Sequence, residues 1–417
     1  MNPYLALVLL VLLGHYAFDA LVEFLNLRHL SPRLPAEFAD TYDAERYLRS
    51  QAYLRETTRF ELLSGAAVLA ATVAFLLGGG FRALEHLACA AAEGETARGV
   101  VFIGGLLLAS VLFGTPFAAY QTFALEARYG FNRTTWRTFL LDRVKTLILL
   151  ALLGGPLLAG VLWLFAAAGR WAWAWVWAAV SLYELLIVFL APALIMPLFN
   201  KFTPLADGDL KHAIEAYLAG CRFRIQGLYT LDGSRRSTKS NAFFTGFGRF
   251  RRIALFDTLI AQHTVPELTA ILAHEVGHYL RHHVLKILAV SVLTSGLMFW
   301  LLSLCVHHPA LAGGLGVPRA SLYANLVVFG FLYTPLATLL GIAGNVLSRR
   351  YEYEADAFAV RTHGQPETFI SALKKLSRDN LANLTPHPFK VFLTYSHPPV
   401  LDRIRAIRGL PPLPTGR

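Results

Sequence analysis

An all-α membrane protein with seven spanning helices is the fold class this sequence predicts, and three observations carry that prediction. The 417 residues are 55% hydrophobic and 16% charged, with a mean hydropathy of +0.48, so polar surface is too scarce to cover a water-soluble body of this length. Seven stretches are apolar enough to cross a hydrocarbon layer about 30 Å thick, which takes about 20 helical residues. Lysine and arginine fall almost entirely on one side of those stretches. The same composition excludes other classes. Phe, Tyr and Trp number 29, 16 and 7, far more apolar area than a disordered chain carries. The widely spaced Cys89, Cys221 and Cys305 exclude a disulfide framework and a cysteine-based zinc module.

In chain order the predicted spans are 3–21, 62–81, 99–125, 146–169, 171–200, 287–306 and 320–348. The first carries His15 and Asp19 and the fifth carries Glu184. Residues 3–21 lack a basic flank and a small-residue cleavage site, so they read as an uncleaved first helix. Seven spans put alternate loops on opposite sides. One side then holds Arg82, Arg98, Arg170 and Arg319, and the other holds the remaining 34 of 38 lysines and arginines. That bias places the N-terminus outside and the C-terminus in the cytoplasm. It also accounts for the net charge of +11 with no nucleic-acid partner. The chain therefore divides into five spans with their loops (1–200), a cytoplasmic segment (201–286), two further spans (287–348) and a C-terminal cytoplasmic segment (349–417).

Chemistry concentrates in the first cytoplasmic segment, at His274-Glu275-Val276-Gly277-His278. Positions four apart share a helix face, so both imidazoles reach one ion while Glu275 is free to face a metal-bound water. Thr264-Val265-Pro266-Glu267 supplies a capping box with an early proline, which starts the helix. In a chain of this composition the HExxH pattern arises by chance about 0.02 times. The competing reading is a helix whose histidines face water, as His282 and His283 are expected to. A catalytic zinc takes a third protein ligand, and no histidine follows ten residues on. The best candidate lies past the last span, where Glu352 and Asp356 share a helix face and Glu354 points away. Such a pair supplies one ligand and one carboxylate that orients a ligating histidine. By itself it equally describes the charged start of a solvated helix.

Two further expectations follow from chain order. Only residues 279–286 separate the motif from the sixth span, so the motif helix is expected to run straight into it. The site then sits at the cytoplasmic membrane face, which favours a lipidated or membrane-resident polypeptide as substrate. Residues 241–247 and 251–256 read as strands with a turn at 246–249. An exposed strand edge binds an extended peptide through main-chain hydrogen bonds; two strands that merely cover the motif helix fit the residues as well.

HEVGH followed by the YEYEADAFA stretch at 351–359 resembles the type I CAAX prenyl protease family, integral-membrane zinc endopeptidases of the gluzincin class. Gln121-Thr122-Phe123 with Glu126, Tyr129-Gly130-Phe131-Asn132, residues 197–205 (PLFNKFTPL), 240–246 (SNAFFTG) and Ser396-His397-Pro398-Pro399 with Arg403 extend the likeness in order along the chain. The resemblance implies one Zn²⁺ per chain on His274, His278 and Glu352, with Glu275 as general base and Asp356 behind a ligating histidine. It implies that Asn241, Ala242 and Phe243 bind substrate as an edge strand, and that His397 and Arg403 approach the metal as oxyanion donors. It further implies a barrel of seven helices around a water-filled chamber, beside a small cytoplasmic protease domain with a short β-sheet. Asp19, Glu184 and His15 suit the wall of such a chamber, or equally helix pairing. The expected partners are the bilayer and a lipidated or membrane-associated peptide, whether or not it is prenylated. The short N-terminal region and the lack of targeting or retention signals point to a bacterial inner membrane. An HtpX-like quality-control protease is the main alternative, although such enzymes have fewer spans. A transporter or receptor with an incidental HEVGH is the other.

Overall fold

A computed structural model describes residues 2–245, 251–318 and 321–411 of the chain, with the backbone alone at 243–245. The seven long apolar helices are Pro3–His29, Ala44–Leu77, Glu95–Glu126, Trp136–Ala167, Gly169–Phe199, His283–Cys305 and Leu322–His363. Each predicted span overlaps one of them, although 62–81 overshoots a helix that ends at Leu77, and several helices run on where hydropathy stops. Helical hydrogen bonds do not end at the membrane surface. The second helix therefore begins at Ala44, where the Asp43 carboxylate accepts the Arg46 N–H at 2.6 Å. The seventh continues unbroken for 42 residues through the acidic motif to His363.

Successive spans touch, and the seventh returns to the first, closing a ring. An apolar core plugs one end, built from residues such as Val8, Phe81, Phe102, Leu162, Phe165, Phe299 and Tyr323. Gly99 makes that convergence possible: a Cβ there would lie 2.6 Å from Leu162 Cδ1 and 3.1 Å from Tyr323 Cβ. At most 17% of any span's most apolar window is buried. Glu184 accepts a hydrogen bond from Ser291 at 2.7 Å, joining the fifth and sixth spans. His15 and Asp19 pair with one another at 3.3 Å, one turn apart on the first span.

The remaining elements fold together at the other end. A four-stranded sheet has the order β1-β2-β4-β3, from β1 (Phe202–Pro204), β2 (Gly227–Leu231), β3 (Ala242–Thr245) and β4 (Arg252–Phe256). β2 and β4 run parallel, the other pairs antiparallel. The sequence reading had β3 and β4 as a hairpin. It missed β1, three residues ending on Pro204, and β2. Its turn at 246–249 lies outside the described residues.

The helix Val265–Leu280 sits between two cores. Leu268, Ile271, Leu272 and Val276 pack with Ile214, Leu218, Ile253 and Leu255, while Ala270 and Ala273 face Phe369, Ile370, Leu373 and Ile404. The two cytoplasmic segments are thus one structural unit, joined also by Phe38, Tyr42 and Tyr47 from the first loop and second helix. One expectation is corrected here. The motif helix does not run into the sixth span, because His282 adopts a left-handed φ of 58° and the chain turns before a new helix starts at His283.

Candidate metal centre and active site

The capping box forms as its residues require. Glu267 accepts the Thr264 N–H at 2.9 Å, and its carboxylate also takes Ser371 Oγ–H at 2.7 Å and Lys375 Nζ at 2.8 Å. Burial would raise this carboxyl, yet Lys375, Thr264 and Ser371 outweigh it and hold the pKa at about 2. The start of the motif helix is thereby pinned to the helix Pro366–Asp379. Further along, Gly277 faces the seventh helix: a Cβ there would lie 3.2 Å from both Ala355 Cα and Ala355 O. That close approach brings the motif histidines alongside Glu352 and Asp356.

His274 Nε2 and His278 Nε2 lie 3.1 Å apart. Glu352 Oε2 is 3.4 Å from the first and Glu352 Oε1 is 3.1 Å from the second. One donor atom from each of the three residues fits within 4.8 Å of the others. Glu352 is 3% exposed, and its Oε2 is buried with no hydrogen-bond partner among the described residues. A buried carboxylate with one oxygen lacking a hydrogen-bond partner, beside the Nε2 atoms of two imidazoles, suits a cation at their centre.

Behind the trio, His274 Nδ1 is 2.7 Å from Asp356 Oδ1. Arg403 clamps the same carboxylate, donating from Nη2 to Oδ1 at 2.5 Å and from Nε to Oδ2 at 2.8 Å. The buried Phe369 ring backs both His274 and Arg403. Burial would push the His274 ring down, but the Asp356 and Glu352 carboxylates override it and hold the pKa at about 9. Glu275 is partly exposed, and burial raises its carboxyl above the ordinary carboxylate range.

His397 reaches the trio from the C-terminal side, with Nε2 3.4 Å from Glu352 Oε1 and a side chain 65% exposed. Arg349 of the seventh helix positions that segment by donating to the carbonyls of Val391, Phe392 and Tyr395. The geometry thus separates His397 from Arg403. The histidine is open to solvent, whereas Arg403 is buried on Asp356 and also reaches the trio, its Nη1 3.7 Å from Glu352 Oε2 and its Nη2 3.4 Å from His274 Nδ1.

Asn241 and Ala242 lie at the start of β3, the edge strand beside β4, and β3 packs on the motif helix. The side chain of Phe243 lies outside the described residues. The lead into β3 is anchored by Lys239, whose Nζ lies 3.0 Å from Glu126 Oε2 and donates to Tyr53 Oη at 2.8 Å. Glu126 ends a π-helical turn, Gln121–Glu126, in the third span. The sequence reading also missed one member of the site. His283, expected to face water, is 1% exposed, with its Nδ1 3.1 Å from His278 Nδ1. It stands five residues after His278, off the helical repeat, so helix periodicity does not flag it.

Comparison with known proteins agrees with this architecture at both ends. Residues 23–201 match the family model described as CAAX prenyl protease N-terminal, five membrane helices, and residues 204–410 match peptidase family M48. A CAAX prenyl protease 1 homolog of Arabidopsis thaliana is 32% identical, covering 98% of each chain. CAAX prenyl protease 1 of Saccharomyces cerevisiae is 29% identical over 95% of this chain and 93% of its own. The crystal structure of S. mikatae Ste24p superposes with a TM-score of 0.92 at 28% identity, covering 98% of this chain and 99% of the other. The full-length match, five-helix region included, disfavours the HtpX-like alternative, and a peptidase family disfavours a transporter or receptor. The chain belongs to the M48 metallopeptidases of the type I CAAX prenyl protease family, as a multi-pass membrane protein.

Proposed function

We propose that this protein is a zinc endopeptidase that cuts prenylated CAAX-type peptides, or closely related membrane-associated peptides, at the cytoplasmic end of its helical ring. The observation that carries the reading is the trio of buried His274 and Glu352 with half-buried His278, their donor atoms 3.1 to 3.4 Å apart. Two imidazoles and one carboxylate are a three-ligand set for catalytic zinc, with a fourth position left to water. The names of the relatives supply the substrate class. The basic bias favours an N-terminus outside and a site and C-terminus inside.

When bound, zinc supplies Lewis acidity toward the scissile carbonyl and lowers the pKa of water to about 7. The chain's residues do the rest. Glu275 takes the proton of the attacking water and passes it to the leaving amine nitrogen, a role that its raised pKa suits. His397 donates from Nε2 to the carbonyl oxygen as negative charge develops there, an interaction worth about 3 kcal/mol. Asp356 holds the His274 proton on Nδ1, leaving Nε2 as a ligand, and Arg403 fixes Asp356. The backbone of β3 around Asn241, Ala242 and Phe243 pairs with the extended peptide, so recognition there reads the main chain more than side chains.

The test is cleavage of a fluorogenic CAAX peptide, with and without its prenyl group, by purified protein in detergent. Glu275→Gln is expected to retain zinc and lose at least about 100-fold in turnover. Wild-type turnover in that variant would remove Glu275 as the base.

A further inference from the structure

The two ligand histidines are backed differently. His274 rests on a carboxylate, and His278 rests on a second imidazole. His278 Nδ1 lies 3.1 Å from His283 Nδ1, and His283 Nε2 lies 3.3 Å from Glu354 Oε2. His283 is 1% exposed and stacks face to face on Tyr351, ring centroids 4.3 Å apart at 11°. Glu354 is held in turn by Arg350, whose Nε donates to Oε1 at 3.2 Å. The chain break at His282 is what brings His283 here. A motif helix continuing through 283 would carry residue 283 about 500° round from 278, off the histidine face, whereas the left-handed turn swings it back.

We propose that His283 and Glu354 are positioning residues that fix the tautomer and ring orientation of His278, and so set how tightly this chain holds its metal. The proposal rests on the metal-centre reading above. Proton bookkeeping allows one arrangement. His278 binds through Nε2, the atom facing Glu352, so its proton sits on Nδ1. That proton is donated to His283 Nδ1, which must accept. The His283 proton then sits on Nε2 and is donated to Glu354. Glu354, one residue pair away from the ligand Glu352 on the same helix, thereby serves the opposite ligand.

The test measures Zn²⁺ affinity of the full-length protein in detergent by competition with a fluorescent chelator, alongside thermal melting of the metal-free form. His283→Phe keeps the ring stacked on Tyr351 but removes the acceptor, and its zinc affinity is expected to fall about 10- to 100-fold. His283→Asn places an amide oxygen where Nδ1 stood and is expected to remain within about threefold of wild type. Glu354→Gln, which keeps an acceptor but loses its charge, is expected to fall by about 10-fold. If His283→Phe does not fold, the Asn and Gln variants decide between themselves: the former near wild type and the latter weakened supports the pair, and the reverse order overturns it. Unchanged affinity in a folded His283→Phe protein would also overturn it. A wild-type protein that takes up no zinc would instead overturn the metal centre itself, and the pair with it.

Discussion

The two membrane helices that meet the candidate metal centre reach it by opposite routes. The seventh span runs without interruption from Leu322 to His363 and carries Glu352 and Asp356 on its own continuation. The sixth span is severed from the motif helix at His282, and that helix is placed by the sheet and the C-terminal helices packed around it. One part of the trio is therefore fixed rigidly to the membrane, and the other two are fixed to the cytoplasmic unit. Gly277, pressed on Ala355, is one close point in the long contact between the two frames. The trio is as well aligned as that contact is close.

The largest effect separating the two routes is expected from chain insertions. One alanine added after Ser348 turns everything beyond it by about 100° and lifts it about 1.5 Å, which carries Glu352 and Asp356 off the histidines. Zinc should fall to background in a protein that still inserts into the membrane. One alanine added between Arg281 and His282 falls in a turn and disturbs only the support behind His278, so about 10- to 100-fold weaker zinc binding is expected. Equal loss in both insertions would contradict the distinction between a rigid and a broken route.

A smaller effect is expected where the frames meet. Gly277→Ala forces a methyl against the Ala355 backbone at 3.2 Å, an overpacking that costs about 1–3 kcal/mol. Lower thermal stability together with weaker zinc binding is expected, measured by melting and chelator competition. A fully stable variant with lowered zinc affinity would place the strain in the ligands alone.

Much of this was legible in the sequence because the strongest signals were local. Apolar runs mark the spans, since a bilayer imposes one length on all of them, and His274, Glu275 and His278 share a single helix. Glu352 and Asp356 were legible as a helix-face pair and as the best third-ligand candidate, although the pair alone fitted a solvated helix start as well and the family resemblance favoured the metal reading. What the sequence hid depends on contacts across the chain. Hydropathy sees where the membrane ends but not where the helix ends, so the second and seventh helices run longer than their apolar runs. A non-glycine residue in the left-handed region leaves no composition signal, so the break at His282 and the inward turn of His283 were invisible. Arg403 and His397 both reach Glu352, and only the fold shows that Arg403 is also buried on Asp356 while His397 stays exposed. The anchoring of β3 by Lys239 on Glu126 joins residues more than a hundred positions apart.

The most direct test of the central claim is X-ray absorption at the zinc edge on purified wild-type protein, read with metal content in His274→Ala, His278→Ala and Glu352→Ala. About one zinc per chain is expected, with two imidazole nitrogens and oxygen neighbours at about 2.0–2.2 Å, and loss of the metal in all three variants. Stoichiometric zinc retained in Glu352→Ala, or a sulfur-containing shell in the wild type, would contradict it.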